Sequence, residues 1–86
     1  MILVVDVGNT NITCGVYEEK ELKATFRINT KTQRTSDEYG AIFSQLLSMK
    51  DLSLQDIEGS IIASVVPDVM HSLVGGIVRY TNTEPL

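Results

Sequence analysis

The chain has 86 residues, 43% of them hydrophobic, and a formal net charge of -4. This size and composition fit one small globular domain and argue against intrinsic disorder. The acidic balance argues against a nucleic-acid-binding role, because the chain has no stripe of Lys and Arg and the cluster around Lys31 and Arg34 is modest. One cysteine excludes an intramolecular disulfide. With no apolar run near the roughly 20 residues that span a bilayer, and no basic segment before the first apolar run, we expect a cytoplasmic protein without a membrane partner.

The first segment, MILVVDVGNTNIT, carries the most information. Ile2–Val5 is apolar and rich in β-branched residues, which predicts a strand buried on both faces. Asp6 falls where this strand should meet solvent, and Val7-Gly8-Asn9 predicts a tight turn in which Gly8 adopts a positive φ. The side chains that follow it supply hydroxyl and amide groups: Thr10, Asn11 and Thr13.

A carboxylate beside a turn of accessible backbone N–H groups is a suitable place for a phosphate chain and its Mg²⁺. A plain hairpin explains the same residues equally well, because Asp, Gly and Asn are common in all turns. Turn chemistry alone therefore leaves both interpretations open.

Two further strands are predicted after the turn. Asn11–Tyr17 alternates between apolar and polar residues, and Gly15 marks either a bulge or close packing. Cys14, within this strand, is expected to be a small core residue rather than a nucleophile. In Glu21–Ile28 the alternation predicts one apolar face, made of Leu22, Ala24, Phe26 and Ile28. Three strands joined by short turns predict an antiparallel meander.

A helix is predicted after the polar loop Asn29–Arg34. Thr35 and Glu38 have the spacing of a capping box. The residues that follow form one apolar stripe at helical spacing: Tyr39, Ile42, Phe43, Leu46 and Leu47. Ser53 and Asp56 have the same capping-box spacing and predict a second, shorter turn.

A strand and a second helix are predicted next. Ser60–Val66 is apolar and is expected to be a buried strand. Pro67 then suits the first turn of a helix that runs to about Tyr80. Gly75-Gly76 inside this helix costs about 1 kcal/mol per Gly relative to Ala, so close packing against the sheet is expected as compensation. The order is β-β-β-α-β-α, and Thr83–Leu86 has the character of an approach to another strand, so the chain is expected to be truncated within a domain.

Three motifs in this order resemble a known family: DVGNTN after the first strand, then RTSDEY, then SVVP. The first motif and the order of elements resemble the opening lobe of the ribonuclease H-like, actin/hexokinase/Hsp70-type ATPases. The three together resemble the N-terminal part of type III pantothenate kinases, over essentially the whole chain. The resemblance implies an α/β lobe with helices packed on a mixed sheet, in which residues 1–86 form the N-terminal part of an actin-like ATPase domain.

The resemblance implies transfer of the ATP γ-phosphate to the primary hydroxyl of pantothenate, which gives 4'-phosphopantothenate, the first step towards coenzyme A. It assigns Asp6 to the Mg²⁺ and the nucleotide phosphates. It assigns the remainder of the phosphate loop to Gly8, Asn9, Thr10, Asn11 and Thr13. It also implies a monovalent cation, K⁺ or NH₄⁺, and a homodimer.

The resemblance places the general base, and most contacts to pantothenate and the monovalent cation, beyond Leu86. No catalytic base is therefore assigned in this chain, and the acidic residues outside the loop have simpler explanations: Asp37, Asp56 and Asp68. The chain alone is expected to be inactive. Arg34 and Thr35 match a family motif, and either loop ordering or ligand contact would explain them.

Two other functions stay open at this point. One is a non-catalytic regulatory or transcriptional accessory protein of the same family. The other is a different small-molecule kinase of the superfamily. Tyr39 is expected in the core, and His71 is expected to be a surface or packing residue.

Overall fold

The computed structural model describes residues 1–64, 66–83 and 85, without the side chains of Pro67 and Asp68. The elements follow the predicted order: β1 (Ile2–Val7), β2 (Asn11–Glu18), β3 (Glu21–Asn29), α1 (Ser36–Ser48), a one-turn 3₁₀ helix (Leu54–Asp56), β4 (Gly59–Ser64) and α2 (Pro67–Thr81). The last predicted strand is shorter than expected, since β4 ends at Ser64; Val65 lies outside the described residues.

The four strands form one mixed sheet in the order β3-β2-β1-β4. β1 pairs antiparallel with β2, and β2 pairs antiparallel with β3, as the predicted meander requires. β1 and β4 run parallel, and α1 forms the crossover that a parallel pair needs. Beyond β4, Pro85 forms a parallel bridge to Ser60, which agrees with the expected approach to another strand.

Both helices contribute to one core on one face of the sheet. The buried apolar side chains belong to a single cluster that includes strand residues Leu3, Val5, Val7, Ile12 and Val16 and helix residues Tyr39, Phe43, Leu47, Leu73 and Ile77. The rings of Phe26 and Phe43 meet edge to face, with centroids 5.8 Å apart, and join β3 to α1. We call the face of the sheet that carries this core the covered face.

The opposite, open face has no helix on it among the described residues. The prediction that Ile2–Val5 is buried on both faces is wrong, because Leu3 and Val5 are buried whereas Ile2 and Val4 are only half-buried. The prediction of a buried strand at Ser60–Val66 is wrong for the same reason. On the open face, Ile61 is 44% exposed and Ala63 is exposed as well. Ser64, which pairs with Val7, is exposed at the end of the strand.

A register shift between β2 and β3 places Leu22 on the open face. Val16 pairs with Ala24, but the next residue, Tyr17, pairs with Leu22, so Lys23 is the extra residue of a bulge. The prediction that Leu22 shares the apolar face of Ala24 is therefore wrong, and its side chain is 47% exposed. Gly15 is not the bulge itself; a Cβ there would lie 3.3 Å from Leu22 Cδ1, so close packing explains it.

Local sequence signals mark the starts of α1, the 3₁₀ helix and α2. The Thr35–Glu38 capping box is present, with the Glu38 amide donating to Thr35 Oγ1 at 3.1 Å and the Thr35 amide donating to Glu38 Oε1 at 2.8 Å. The second capping box, at Ser53 and Asp56, is present too, and Pro67 occupies the first turn of α2.

The glycine pair of α2 is closely packed, but against the N-terminus of α1 and not against the sheet as predicted. A Cβ on Gly75 would lie 2.6 Å from Ser36 Oγ, and one on Gly76 would lie 2.8 Å from the Ser36 carbonyl oxygen. Arg79 Nη1 and the Tyr80 hydroxyl donate to Asp37 Oδ1 at 3.0 and 2.7 Å, and these bonds hold the pKa of Asp37 below its ordinary value. Asp37 thus links the two helices in addition to placing charge in the first turn of α1.

Candidate phosphate-binding site

The site begins at the turn that joins β1 to β2. The Gly8 amide donates to the Asn11 carbonyl oxygen at 2.9 Å and closes the turn. The prediction of a positive φ at Gly8 is wrong, since no glycine among the described residues has one. A Cβ at Gly8 would lie 3.2 Å from the Asn11 carbonyl oxygen, so a close backbone approach favours glycine here.

Asp6 lies on the open face, next to the end of β1. It is exposed, and its cross-strand partner on β2 is Thr13, which pairs in turn with Arg27 on β3. Such partners have Cβ atoms about 5 Å apart, so this row brings a carboxylate, a hydroxyl and a guanidinium together. Among the described residues, the Asp6 carboxylate has no hydrogen-bond donor or ion-pair partner.

Two backbone amides of the turn are also free. Within residues 1–64, 66–83 and 85, the amides of Asn9 and Thr10 have no protein acceptor. Both residues are exposed, as is Asn11, which lies on the same face of β2 as Thr13. Successive unpaired N–H groups in a turn form a concave site that suits an anion. The structure thus brings the six sequence-predicted residues together around one turn.

Thr30 is a contact that the sequence interpretation missed. Its hydroxyl donates to the Gly8 carbonyl oxygen at 2.9 Å, and its amide donates to the Thr10 carbonyl oxygen at 3.0 Å. Only 6% of Thr30 is exposed. A threonine that follows a predicted strand carries no signal of such a role, because the contact depends on the pairing of β2 with β3. Arg27 likewise carries no sequence signal beyond its polar position in this strand.

A cavity of about 540 Å³ opens beside the turn, on the helix side. Its lining includes Asn9, Thr30, Arg34, Tyr39 and Val66, but not Asp6. Asp6 belongs to the opposite face of the sheet, so the turn separates the cavity from the carboxylate. Asn9 reaches the cavity from the turn itself.

Arg34 and Thr35 order the loop at the cavity wall. Arg34 Nη1 donates to the Asn29 carbonyl oxygen at 2.6 Å, and its guanidinium carbon lies 5.7 Å from the centroid of the Tyr39 ring. Thr35 is occupied as the N-cap of α1. Loop ordering is therefore visible for both residues, and contact with a ligand stays a prediction.

The carboxylates of the described chain do not form a metal cage. No group of three or more His, Cys, Asp or Glu residues is placed to hold a metal ion in the part of the chain that the structure describes. The free Asp6 carboxylate nevertheless suits Mg²⁺, which proteins commonly bind through one or two carboxylates together with substrate phosphates. Asp6 and the neighbouring free amides therefore fit a magnesium–phosphate group.

The remaining candidates behave as the sequence indicated. Cys14 is buried in the core, and burial raises the pKa of its thiol to about 12. Tyr39 is buried and His71 is exposed. Asp56 is engaged in its capping box, and the side chain of Asp68 lies outside the described residues. Neither helix of the described chain is long and apolar enough to cross a membrane.

A solved structure shares this fold. It is a protein from Porphyromonas gingivalis described as an N-acetylglucosamine kinase, and it superposes with a TM-score of 0.66 at 18% identity. The match covers 99% of this chain and 33% of that one. Since this identity is low, the likeness shows the fold, which is that of a lobe of the actin-like ATPases.

The sequence comparisons are more specific. A curated relative from Agathobacter rectalis, a type III pantothenate kinase, is 55% identical over all 86 residues of this chain. The chain spans 33% of the length of that relative. The family model of type III pantothenate kinase matches residues 2–86. By sequence, the chain belongs to the type III pantothenate kinase family.

Proposed function

We propose that the full-length protein carrying this chain transfers the γ-phosphate of ATP to pantothenate, as the first step towards coenzyme A. This chain would form residues 1–86 of an actin-like ATPase domain and supply its phosphate-binding half. The supporting observation is the exposed Asp6 carboxylate on the strand that leads into the turn of Asn9 and Thr10, in a chain of this family. Neither this carboxylate nor the two turn amides have a hydrogen-bond partner among the described residues.

The residues of the site would have different roles, which follow from the chemistry of their groups. The amides of Asn9 and Thr10 would bind phosphate oxygens, and the Asp6 carboxylate would hold the Mg²⁺ that accompanies the nucleotide. Gly8 allows the close turn, while Asn11 and Thr13 add polar groups along the open face. Mg²⁺, when bound, neutralises phosphate charge, and phosphoryl transfer depends mostly on such positioning and neutralisation.

The general base and the pantothenate contacts would lie outside residues 1–86. Family membership also supports a monovalent cation, K⁺ or NH₄⁺, a homodimer and a cytoplasmic location as parts of the proposal. The acidic net charge of -4 supports the absence of a nucleic-acid partner.

The test is a chimera in which this chain replaces the matching segment of the Agathobacter rectalis relative. The 55% identity over the segment makes the replacement structurally compatible. We expect Mg²⁺- and ATP-dependent formation of 4'-phosphopantothenate, measured by a coupled ADP assay and by mass spectrometry of the product.

N-Acetylglucosamine serves as the control acceptor, because the solved structure of the same fold is described as a kinase for that sugar. A folded chimera that leaves pantothenate unchanged would contradict the proposal, whether or not it phosphorylates the sugar.

A further inference from the structure

We infer that Thr30 is a positioning residue for the phosphate-binding turn: its two hydrogen bonds hold the Gly8 and Thr10 carbonyls so that the neighbouring amides remain available to phosphate. The inference rests on the proposed function for its meaning in catalysis. It rests on the geometry alone for the effect of Thr30 on the turn.

The first step concerns the carbonyl oxygens of the turn. Three of them are occupied: Gly8 by the Thr30 hydroxyl, Thr10 by the Thr30 amide, and Asn11 by the Gly8 amide. A carbonyl oxygen that turned towards a bound phosphate would repel it. Each of these bonds directs one carbonyl oxygen to a donor within the protein.

The second step concerns the source of the bonds. The Thr30 amide bond continues the β2–β3 ladder by one pair past Asn11 and Asn29, so it depends on the backbone alone. The hydroxyl bond is different, because it crosses to the far side of the turn and needs a Ser or Thr side chain. The hydroxyl is therefore the part of the contact that a substitution can remove separately.

The third step concerns rigidity. Thr30 is 6% exposed and its bond to Gly8 is partly buried, so water competes with its hydroxyl less than at an exposed position. Removing one partner from a partly buried hydrogen bond leaves the other without its best partner and loosens its position. Without the hydroxyl, the Gly8 carbonyl is expected to rotate towards solvent, and the turn loosens.

The key variant is Thr30→Val, which keeps the shape of the side chain and removes the donor. Thr30→Ser keeps the hydroxyl and should behave like the parent protein. Thr25→Val is the matched control, because Thr25 is an exposed threonine on β3, the strand that Thr30 follows, and it pairs with Gly15 outside the site.

In the Agathobacter chimera, we expect Thr30→Val to raise the KM for ATP about tenfold, the equivalent of one hydrogen bond. The KM for pantothenate should change less than about twofold, and Thr30→Ser and Thr25→Val should leave both constants near the parent values. Equal losses for both substrates, or no rescue by Thr30→Ser, would show a general structural role and overturn the inference.

Hydrogen exchange of the Gly8 amide in the same chimera supplies a readout that needs no activity. This amide is bonded within the turn, so Thr30→Val should speed its exchange, whereas Thr25→Val should not. Unchanged exchange in Thr30→Val would overturn the positioning role. An unsubstituted chimera that is inactive on pantothenate would overturn the proposed function instead, and the exchange result would still decide the role of Thr30.

Discussion

The two faces of the sheet are built from the same strands but have different chemistry. On β1, Leu3, Val5 and Val7 enter the covered face, whereas Asp6 lies on the open face. On β2, Cys14 is buried and its neighbour Thr13 is exposed. Adjacent residues are therefore expected to differ in what they control: covered positions set stability, and open positions beside the turn set phosphate binding.

The largest effect is expected at Asp6. In the Agathobacter chimera, Asp6→Asn removes the charge that would hold Mg²⁺ and should lower kcat by about 100- to 1,000-fold, the size of loss seen when one transition-state contact is removed. Thermal unfolding should change little, because the carboxylate is exposed and unpaired among the described residues.

Asp51→Asn is the matched control for this charge change. Asp51 is exposed and has φ 59°, a conformation that Asn tolerates well. Parent-like turnover in Asp6→Asn would show that Asp6 has no role in catalysis. It would also contradict the proposed functional difference between the two faces.

Two leucines, one on each face of the sheet, test whether covered positions set the stability of the chain. Leu3 is fully buried on the covered face, so Leu3→Ala should lower the free energy of unfolding by about 2–5 kcal/mol. Leu22 is 47% exposed on the open face, so Leu22→Ala should stay within about 0.5 kcal/mol of the parent chain. Urea unfolding of the chain measures both values, and similar losses at the two positions would contradict the assignment of faces.

The Leu22 position also shows where the sequence was insufficient. Alternation over β3 correctly places Ala24, Phe26 and Ile28 towards the core. It fails at Leu22 because a bulge opposite Val16 and Tyr17 reverses the side-chain direction. That bulge depends on how two strands pair, and no pattern within one strand reports it.

Elements with local signals were predictable to within a residue or two. The capping boxes at Thr35 and Ser53 and the proline at the start of α2 mark their elements by short-range hydrogen bonding and backbone restriction. The burial of β1 and β4 was not predictable in this way, because it depends on both helices packing on the same face.

The site residues also differ in how far the sequence could predict them. Asp6 through Thr13 is contiguous, so its turn chemistry was visible in the sequence. Thr30 reaches Gly8 across 22 residues of chain, and only the folded sheet brings them together. Gly8 was correctly singled out, but its reason is the nearby Asn11 carbonyl rather than a positive φ.

A smaller effect is expected where the helices that cover the sheet meet. Gly76→Ala would place a Cβ 2.8 Å from the Ser36 carbonyl oxygen and 3.0 Å from Tyr39 Cβ. Such overpacking should lower the free energy of unfolding by about 1–3 kcal/mol, despite the gain of about 1 kcal/mol in helix propensity.

Gly59→Ala is the control, since its Cβ would meet only the end of the Ile2 side chain, at 3.1 Å. A stabilised Gly76→Ala chain in the same urea experiment would show that the helices do not approach this closely.

The smallest expected effect is a difference in thiol reactivity between two neighbouring residues of β2, one on each face of the sheet. Burial raises the pKa of Cys14 to about 12, so at pH 8 the thiol stays protonated and should resist a thiol reagent until the chain unfolds. Thr13→Cys in a Cys14→Ala background moves the thiol to the open face, where it should react readily. Equal labelling rates for the two folded chains, followed by absorbance, would contradict the difference in burial.

The central claim is that the free amides of Asn9 and Thr10 bind nucleotide phosphate. Its most direct measurement is the ¹⁵N–¹H spectrum of the Agathobacter chimera, with residues 1–86 segmentally labelled, during titration with ADP and Mg²⁺. Binding should shift the Asn9 and Thr10 amides most, while the amide of Thr25, also on the sheet but away from the turn, stays in place. Saturable nucleotide binding that leaves Asn9 and Thr10 unshifted would contradict the account.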